Sequence, residues 1–166
     1  MEENMNKKFI IVNGPPGVGK TTTCRILQQN LNRSVWLDGD WCWMANPWIV
    51  TAETKEMAEK NITCILNSFL GCSEYKYVLF SWILRTDKLL NHVLSQLMLS
   101  HDKVYKFTLT CDETTYRKRL ITNGTDPDKM DKCLKAMQLC QLTDSIKVNT
   151  TDISADKAAK MIINNL

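Results

Sequence analysis

Glycines, a lysine and a threonine between residues 14 and 21 form a pattern that can bind phosphate. The segment reads GPPGVGKT and matches the Walker A spacing G-x-x-x-x-G-K-[ST]. Glycines let the backbone curl and point successive N–H groups at an anion. Lys20 adds a positive charge for the β- and γ-phosphates, and the Thr21 hydroxyl is a hard oxygen ligand for Mg²⁺. The residues predicted to contact a nucleoside triphosphate are Gly14, Pro15, Pro16, Gly17, Val18, Gly19, Lys20, Thr21 and Thr22.

The segments on either side of this pattern have the character that its chemistry requires. Residues 9–12 (FIIV) form a short apolar run, typical of a strand buried on both faces of a parallel sheet. Residues 21–31 place Ile26, Leu27 and Leu31 on one helical stripe, and the start of that helix adds its positive end to the phosphate site. The alternative, a glycine-proline turn that precedes a helix and binds nothing, is disfavoured by this agreement.

Two aspartates follow the second predicted strand, in the sequence Asp38-Gly39-Asp40. One carboxylate can hold Mg²⁺ through water while the other accepts the proton of an attacking hydroxyl. We assign Asp38 to the metal and Asp40 to the base, because Asp40 lies further along the loop that leaves the strand; the opposite assignment stays open. The alternative is an Asp-Gly turn in which Asp40 caps a helix.

Strand and helix patterns alternate along the whole chain, which predicts one α/β domain over residues 1–166 with a parallel sheet and right-handed crossovers. Ligands of such sheets bind at the carboxyl ends of the strands, so residues 81–85, 111–112 and 149–151 also belong at the crevice. Asp112 is predicted to cap a helix that starts near Glu113, and Gly71 to stop another. Further strands are predicted at 34–37, 77–80, 104–109 and 146–148, and further helices at 51–70, 86–100, 128–141 and 154–164.

Composition limits the classes of partner. The net charge of +3 over 166 residues is spread without a Lys/Arg block, so no nucleic-acid partner is expected. Seven cysteines without a C-x-x-C pair fit a reducing cytoplasm rather than a disulfide framework. No apolar window reaches the length of a membrane helix. We therefore expect a cytoplasmic monomer or homodimer that does not contact membranes.

Missing elements argue against two other classes of nucleotide-binding protein. The guanine-reading N-K-x-D element is absent after the loop, which disfavours a GTPase switch. Motor and AAA-type ATPases usually have a strand that ends in acidic residues. The third predicted strand instead ends in Phe80-Ser81-Trp82, without a carboxylate. A phosphotransferase remains the favoured class.

The loop at residues 14–21, together with Leu37-Asp38-Gly39-Asp40, resembles the small phosphotransferases of the P-loop kinase superfamily. Gluconate kinase and adenylylsulfate kinase carry a similar D-G-D, and shikimate kinase and chloramphenicol phosphotransferase have comparable aspartates. The resemblance implies a three-layer P-loop NTPase fold, with helices on both faces of a five-stranded parallel sheet in the order 2-3-1-4-5. It also implies an acceptor-binding segment at about residues 41–71 and a lid at about residues 117–132.

The resemblance further implies an arginine on the lid that closes on ATP. Arg119 is the closest match, and its predicted role is to neutralise phosphate charge during catalysis. A second arginine usually follows within a turn, but this chain has Thr122-Asn123 there. Arg117, Lys129 or Lys132 could substitute for it, and Arg117 is predicted to contact the nucleotide. The alternative is a solvated basic face of a helix.

On the acceptor side, aromatic residues and one arginine are candidate contacts for the substrate. Trp43 lies with Trp41 and Trp48 in the acceptor segment and could stack on a planar ring. Alternatively, these tryptophans fill the core or a dimer contact. Arg85 follows the third predicted strand and could bind a carboxylate or phosphate; it could equally bond a helix end or Asp87.

Together, these features predict a kinase that uses ATP and Mg²⁺ to phosphorylate a hydroxyl of a small molecule. Lys20 and Arg119 would neutralise phosphate charge, Thr21 and Asp38 would hold the metal, and Asp40 would activate the acceptor. Two alternatives stay open. One is a nucleotide or polynucleotide kinase, and the other is a regulatory protein that binds ATP without catalysing transfer.

Overall fold

A computed structural model describes residues 6–99 and 102–166 of the chain. Within these residues, each predicted strand and helix is present and the two kinds of element alternate. The strands are β1 (Lys8–Asn13), β2 (Ser34–Asp38), β3 (Tyr77–Trp82), β4 (Lys103–Thr110) and β5 (Ile146–Asn149). The helices are α1 (Lys20–Asn30), a 3₁₀ helix (Gly39–Trp43), α2 (Ala52–Gly71), α3 (Asp87–Ser95), α4 (Glu113–Thr122), α5 (Pro127–Gln141) and α6 (Ala155–Ile163).

The five strands form one parallel sheet in the order β2-β3-β1-β4-β5. This confirms the predicted architecture and strand order. β1 lies at the centre, with β3 on one side and β4 on the other, so the loop that follows β1 emerges from the middle of the carboxyl edge. No helix in residues 6–99 or 102–166 has the length and apolar character needed to cross a bilayer.

The central strand sends alternate side chains into two separate cores. Ile10 and Val12 face a cluster with α1, α5 and α6, whereas Phe9 and Ile11 face a cluster with α2 and α3. All four side chains are at most 1% exposed. Because successive strand residues point to opposite faces, a continuous apolar run is what a strand covered on both sides requires.

One helix is shorter than its sequence pattern predicts. The periodicity extends to residue 100, which lies outside the described residues, but α3 ends at Ser95. The side chain of Asn67 on α2 accepts a hydrogen bond from the Met98 N–H at 2.8 Å and donates one to the Gln96 carbonyl at 3.0 Å. The Met98 N–H and the Gln96 carbonyl would form hydrogen bonds within the helix if α3 continued, but here both are bonded to Asn67. Gly71 is the last residue of α2 rather than its stop, since Cys72 occupies the C-cap.

Asn13, the last residue of β1, anchors the base of the loop that follows. Its buried amide accepts from the Leu84 N–H at 2.8 Å and donates to the Leu84 carbonyl at 2.9 Å. It also lies 3.2 Å from the Thr108 hydroxyl and 3.4 Å from the Thr143 hydroxyl. One side chain therefore ties β1 to the segment after β3, to β4 and to the segment after α5.

Replacing Asn13 by leucine should lower the free energy of unfolding by about 2–4 kcal/mol, because the Leu84 peptide groups lose their buried partners. Urea denaturation measures this change. Asn30→Ala is the matched control, because Asn30 is exposed and bonds only within its own helix; its effect should stay within about 0.5 kcal/mol. Equal effects of the two substitutions would contradict the anchoring role of Asn13.

Candidate functional site

The loop between β1 and α1 has the backbone conformation of an anion-binding nest. Gly14, Gly17 and Gly19 have φ values of 152°, 74° and 111°, in a region that residues with a Cβ rarely adopt. A Cβ at Gly14 would also lie 2.8 Å from Val18 Cγ1 and 3.0 Å from the Leu109 carbonyl oxygen. The loop ends at the start of α1, where unpaired N–H groups and the helix dipole attract negative charge.

The Lys20 ammonium lies inside this loop. Its Nζ donates to the carbonyl of Gly14 at 2.9 Å and to that of Pro15 at 3.0 Å, and the residue is only 9% exposed. Burial lowers the pKa of Lys20, while the nearby Asp40 and Asp38 carboxylates oppose that shift. The two carbonyl groups are neutral and do not balance the charge of this buried ammonium. A phosphate oxygen that enters the loop would supply the missing negative charge.

Thr21 and Asp38 meet although they come from different elements. The Thr21 hydroxyl donates to Asp38 Oδ2 at 3.1 Å, which links the first turn of α1 to the end of β2. A hydroxyl and a carboxylate are hard oxygen donors that suit Mg²⁺. Residues 6–99 and 102–166 contain no group of three or more His, Cys, Asp or Glu able to hold a metal. The donor set therefore fits an ion that takes its remaining ligands from phosphate and water.

Asp40 lies two residues further on and faces the same cleft. The other carboxylate oxygen of Asp38 accepts the Asp40 N–H at 3.2 Å, so Asp38 caps the 3₁₀ helix. The alternative that Asp40 is itself a helix cap is therefore wrong. Burial and the Asp38 carboxylate raise the pKa of Asp40, with Lys20 and the Trp82 indole opposing the shift.

The cleft has a volume of about 310 Å³ and brings together most of the predicted phosphate and catalytic residues. Two of its lining residues, Ile83 and Asn123, were not among the predicted site residues. The full lining is Pro16, Gly17, Gly19, Lys20, Thr21, Thr22, Asp38, Asp40, Ile83 and Asn123.

A second cleft of about 440 Å³ continues along the outer side of the loop. It shares Gly17, Gly19, Thr22 and Asn123 with the first, so the two form one groove. Arg119 lines this second part. Its guanidinium donates to the Thr150 hydroxyl at 2.8 Å and to the Val18 carbonyl at 3.3 Å, which fixes it against the loop.

Five predicted site residues are absent from the lining of this groove. Two of them, Gly14 and Pro15, belong to the loop itself and hold Lys20 through their carbonyls. The other three lie elsewhere. Arg117 pairs with Glu113 one turn earlier on α4, at 2.8 Å. Arg85 is exposed and lines a separate cavity of about 180 Å³ with Asp87 and Thr143. Trp43 is half-buried and stacks on Trp48. The lid range 117–132 covers the end of α4, a turn and the start of α5.

Four residues that shape the site had no role assigned to them from the sequence. Tyr116 is fully buried and its hydroxyl donates to the Pro16 carbonyl at 2.6 Å, holding the loop from α4. Asn123 approaches Gly17, and Thr150 holds Arg119. Ile83 and Thr150 lie within residues 81–85 and 149–151, which the sequence places at the crevice. Asn123 lies in the turn between α4 and α5, and nothing in the sequence singled out Tyr116.

The fold and the loop define the class of protein: the chain has the P-loop NTPase fold. A family described as "AAA domain" matches residues 10–143, and the chain belongs to this family. The sequence argument against a motor or AAA-type ATPase concerned that function and rested on the end of the third strand, so the family match does not test it. The observation behind it remains, because the side chains at the end of β3 are Phe80, Ser81 and Trp82.

Solved structures with the same fold include three bacterial proteins. The tunicamycin resistance protein of Deinococcus radiodurans is 17% identical with a TM-score of 0.71, covering 96% of this chain and 95% of that one. A gluconokinase from Sinorhizobium meliloti 1021 is 13% identical with a TM-score of 0.68, covering 98% and 94%. Shikimate kinase from Acinetobacter baumannii, in complex with shikimate, is 21% identical with a TM-score of 0.63, covering 96% and 92%. No curated protein matches the chain.

Gly39, between the two aspartates, is required by packing. A Cβ on Gly39 would lie 2.5 Å from Trp82 Cγ and 2.6 Å from Cδ1, so Gly39→Ala must displace the indole. We expect a loss of about 1–3 kcal/mol in the free energy of unfolding, measured by chemical denaturation.

Gly71→Ala is the matched control, since a Cβ there meets nothing within 4 Å. Because Gly71 lies in α2, alanine should leave stability unchanged or raise it by up to about 1 kcal/mol. Unchanged stability in Gly39→Ala would show that Trp82 does not restrict this position.

Proposed function

We propose that the protein is a kinase that transfers the γ-phosphoryl group of ATP to a hydroxyl of a small molecule. One observation carries this proposal: the Thr21 hydroxyl lies 3.1 Å from Asp38, in a cleft that also holds Lys20 and Asp40. One space is therefore surrounded by two candidate metal ligands, a candidate base and an ammonium that can bind phosphate. Phosphoryl transfer depends mainly on such positioning and charge neutralisation.

ATP would lie along the continuous groove. Its triphosphate would bind the loop amides and the Lys20 ammonium, which then exchanges loop carbonyls for phosphate oxygens. The base and ribose would occupy the larger part of the groove, beside Arg119 and Thr150. Mg²⁺ bound at Thr21 and Asp38 would neutralise charge on the β- and γ-phosphates.

In the transfer step, the acceptor hydroxyl oxygen forms a bond to the γ-phosphorus while the bond from that phosphorus to the bridging oxygen breaks. ADP leaves with the electron pair of the broken bond. The hydroxyl proton passes to the Asp40 carboxylate, whose raised pKa favours proton acceptance. Lys20 and Arg119 stay near the charge that develops on the phosphate oxygens.

The related structures support a kinase but do not identify the acceptor. Two of the three proteins described above are kinases, for gluconate and for shikimate. The pairing of Arg117 with Glu113 favours the alternative of a regulatory protein, because the lid then lacks a second arginine directed at the phosphates. An acceptor screen that includes nucleosides, nucleotides, 5′-hydroxyl oligonucleotides and neutral alcohols separates these functions.

Lys20→Ala should reduce ATP binding or turnover to background, because the loop loses its only buried ammonium among the residues lining the cleft. Calorimetric titration with an ATP analogue and an ADP-release assay measure the two quantities. Wild-type affinity and turnover in this variant would contradict the role of the loop.

Asp40→Asn should retain ATP affinity within about twofold and lower the transfer rate by about 10²–10⁴-fold, because the amide cannot accept the proton. Asp144→Asn is the matched control, since Asp144 is exposed and pairs with Lys106 at 2.7 Å. Equal transfer by the Asp40 variant would remove the catalytic assignment. ATP binding by the wild-type protein without turnover across the screen would favour the regulatory alternative.

A further inference from the structure

Large apolar side chains lie exposed in the segment that follows Asp40. We call this surface the aromatic patch. Its residues are Trp41, Met44, Trp48, Ile49, Val50 and Met57, each between 42% and 81% exposed. Single exposed apolar residues are ordinary, but neighbouring ones in one segment are typical of a binding surface.

Two pairs of tryptophans give this patch a defined shape. The rings of Trp43 and Trp48 stack with centroids 4.6 Å apart at an angle of 27°. Trp41 packs on the buried Trp36 with centroids 4.7 Å apart. Trp48 nevertheless remains 54% exposed, so part of the stacked pair is available to a further planar group.

The patch begins at the residue after the proposed base, since Trp41 directly follows Asp40 in the chain. Asp40 and Trp43 belong to the same 3₁₀ helix, whose rise of about 2 Å per residue separates them by about 6 Å along its axis. A cavity of about 300 Å³ on α2 opens beside this helix. Asn61, which lines the cavity, donates to the Cys42 carbonyl at 3.3 Å. A molecule held on the patch could therefore reach Asp40.

The charges around this space are mostly negative. The lining of the α2 cavity includes Glu53, and the other glutamate there, Glu56, is paired with Lys60 at 2.7 Å. The cleft contributes Asp38 and Asp40, while the Lys20 ammonium is held by loop carbonyls. Arg85 lies in a different cavity. No arginine is among the described residues lining these two spaces, and their lysines are Lys60, which is paired with Glu56, and Lys20, which the proposed function assigns to the nucleotide. No arginine or lysine there is left to bind a carboxylate or phosphate of the acceptor.

We infer that the acceptor is an alcohol with a planar apolar portion and with either no charge or a positive charge. This inference rests on the proposed kinase function. The apolar portion would stack on Trp43 and Trp48, and the hydroxyl would face Asp40. An anionic acceptor would instead bring its charge beside Asp38, Asp40 and Glu53, which is unfavourable.

The test uses three matched probes: 2-naphthalenemethanol, its 6-aminomethyl derivative and its 6-carboxylate. Binding to the wild-type protein is measured by calorimetry with Mg²⁺ and AMP-PNP present, and transfer is measured with ATP. The neutral and amine probes should bind, and the carboxylate should bind about tenfold or more weakly than the neutral alcohol. Equal or tighter binding of the carboxylate would overturn the inference.

Trp48→Ala should weaken binding of the neutral probe by about fivefold or more while leaving AMP-PNP affinity unchanged, because it removes half of the stacked pair. Met98→Ala is the matched control, since Met98 is 77% exposed outside the patch. Glu53→Gln should reduce the affinity of the amine probe more than that of the neutral probe. Unchanged probe binding in Trp48→Ala would overturn the inference.

Failure of the inference can be distinguished from failure of the kinase proposal. If AMP-PNP binds and transfer occurs, but only to anionic acceptors, the inference is wrong and the kinase proposal stands. If the neutral probe binds in a Trp48-dependent manner while neither ATP binding nor turnover is found, the kinase proposal fails and the patch remains a binding site. A wild-type dimer that Trp48→Ala converts to a monomer would identify a self-association surface and overturn the inference.

Discussion

The hydrogen bond from the Thr21 hydroxyl to Asp38 joins the two halves of the site. It links the helix that begins at the phosphate loop to the end of a strand that is not adjacent to β1 in the sheet. The intervening strand, β3, holds the two at a fixed spacing through its parallel pairing with both neighbours. A change in the order or register of these strands would separate Asp38 from Thr21.

Side chains from β1 and α4 hold the loop between β1 and α1 in place. Asn13 holds its base to three other segments, and Tyr116 on α4 bonds the Pro16 carbonyl. Arg119 contacts the same loop through Val18. A preorganised loop does not have to lose conformational freedom when an anion binds. The proposed catalytic groups therefore lie on a rigid frame.

The proposed acceptor surface differs from this frame in composition and burial. The cleft with Lys20, Asp38 and Asp40 is lined largely by polar groups, whereas the aromatic patch is exposed and apolar, with acidic side chains at its border. The Trp82 indole packs against Gly39, where the side chain of any larger residue between the two aspartates would project. The same 3₁₀ turn places Asp40 at the cleft and begins the segment that we propose receives the acceptor.

The sequence by itself determined the strands, the phosphate loop and the pair of aspartates, because each is encoded locally by side-chain period, glycine spacing or position at a strand end. The order of the strands was implied only by the resemblance to P-loop kinases. Only the tertiary structure decided which long side chains reach the site. Arg119 meets the loop, whereas Arg117 turns to Glu113 and Arg85 to another cavity. Long side chains are positioned by partners distant in sequence, such as Thr150 for Arg119, and local patterns do not specify such partners.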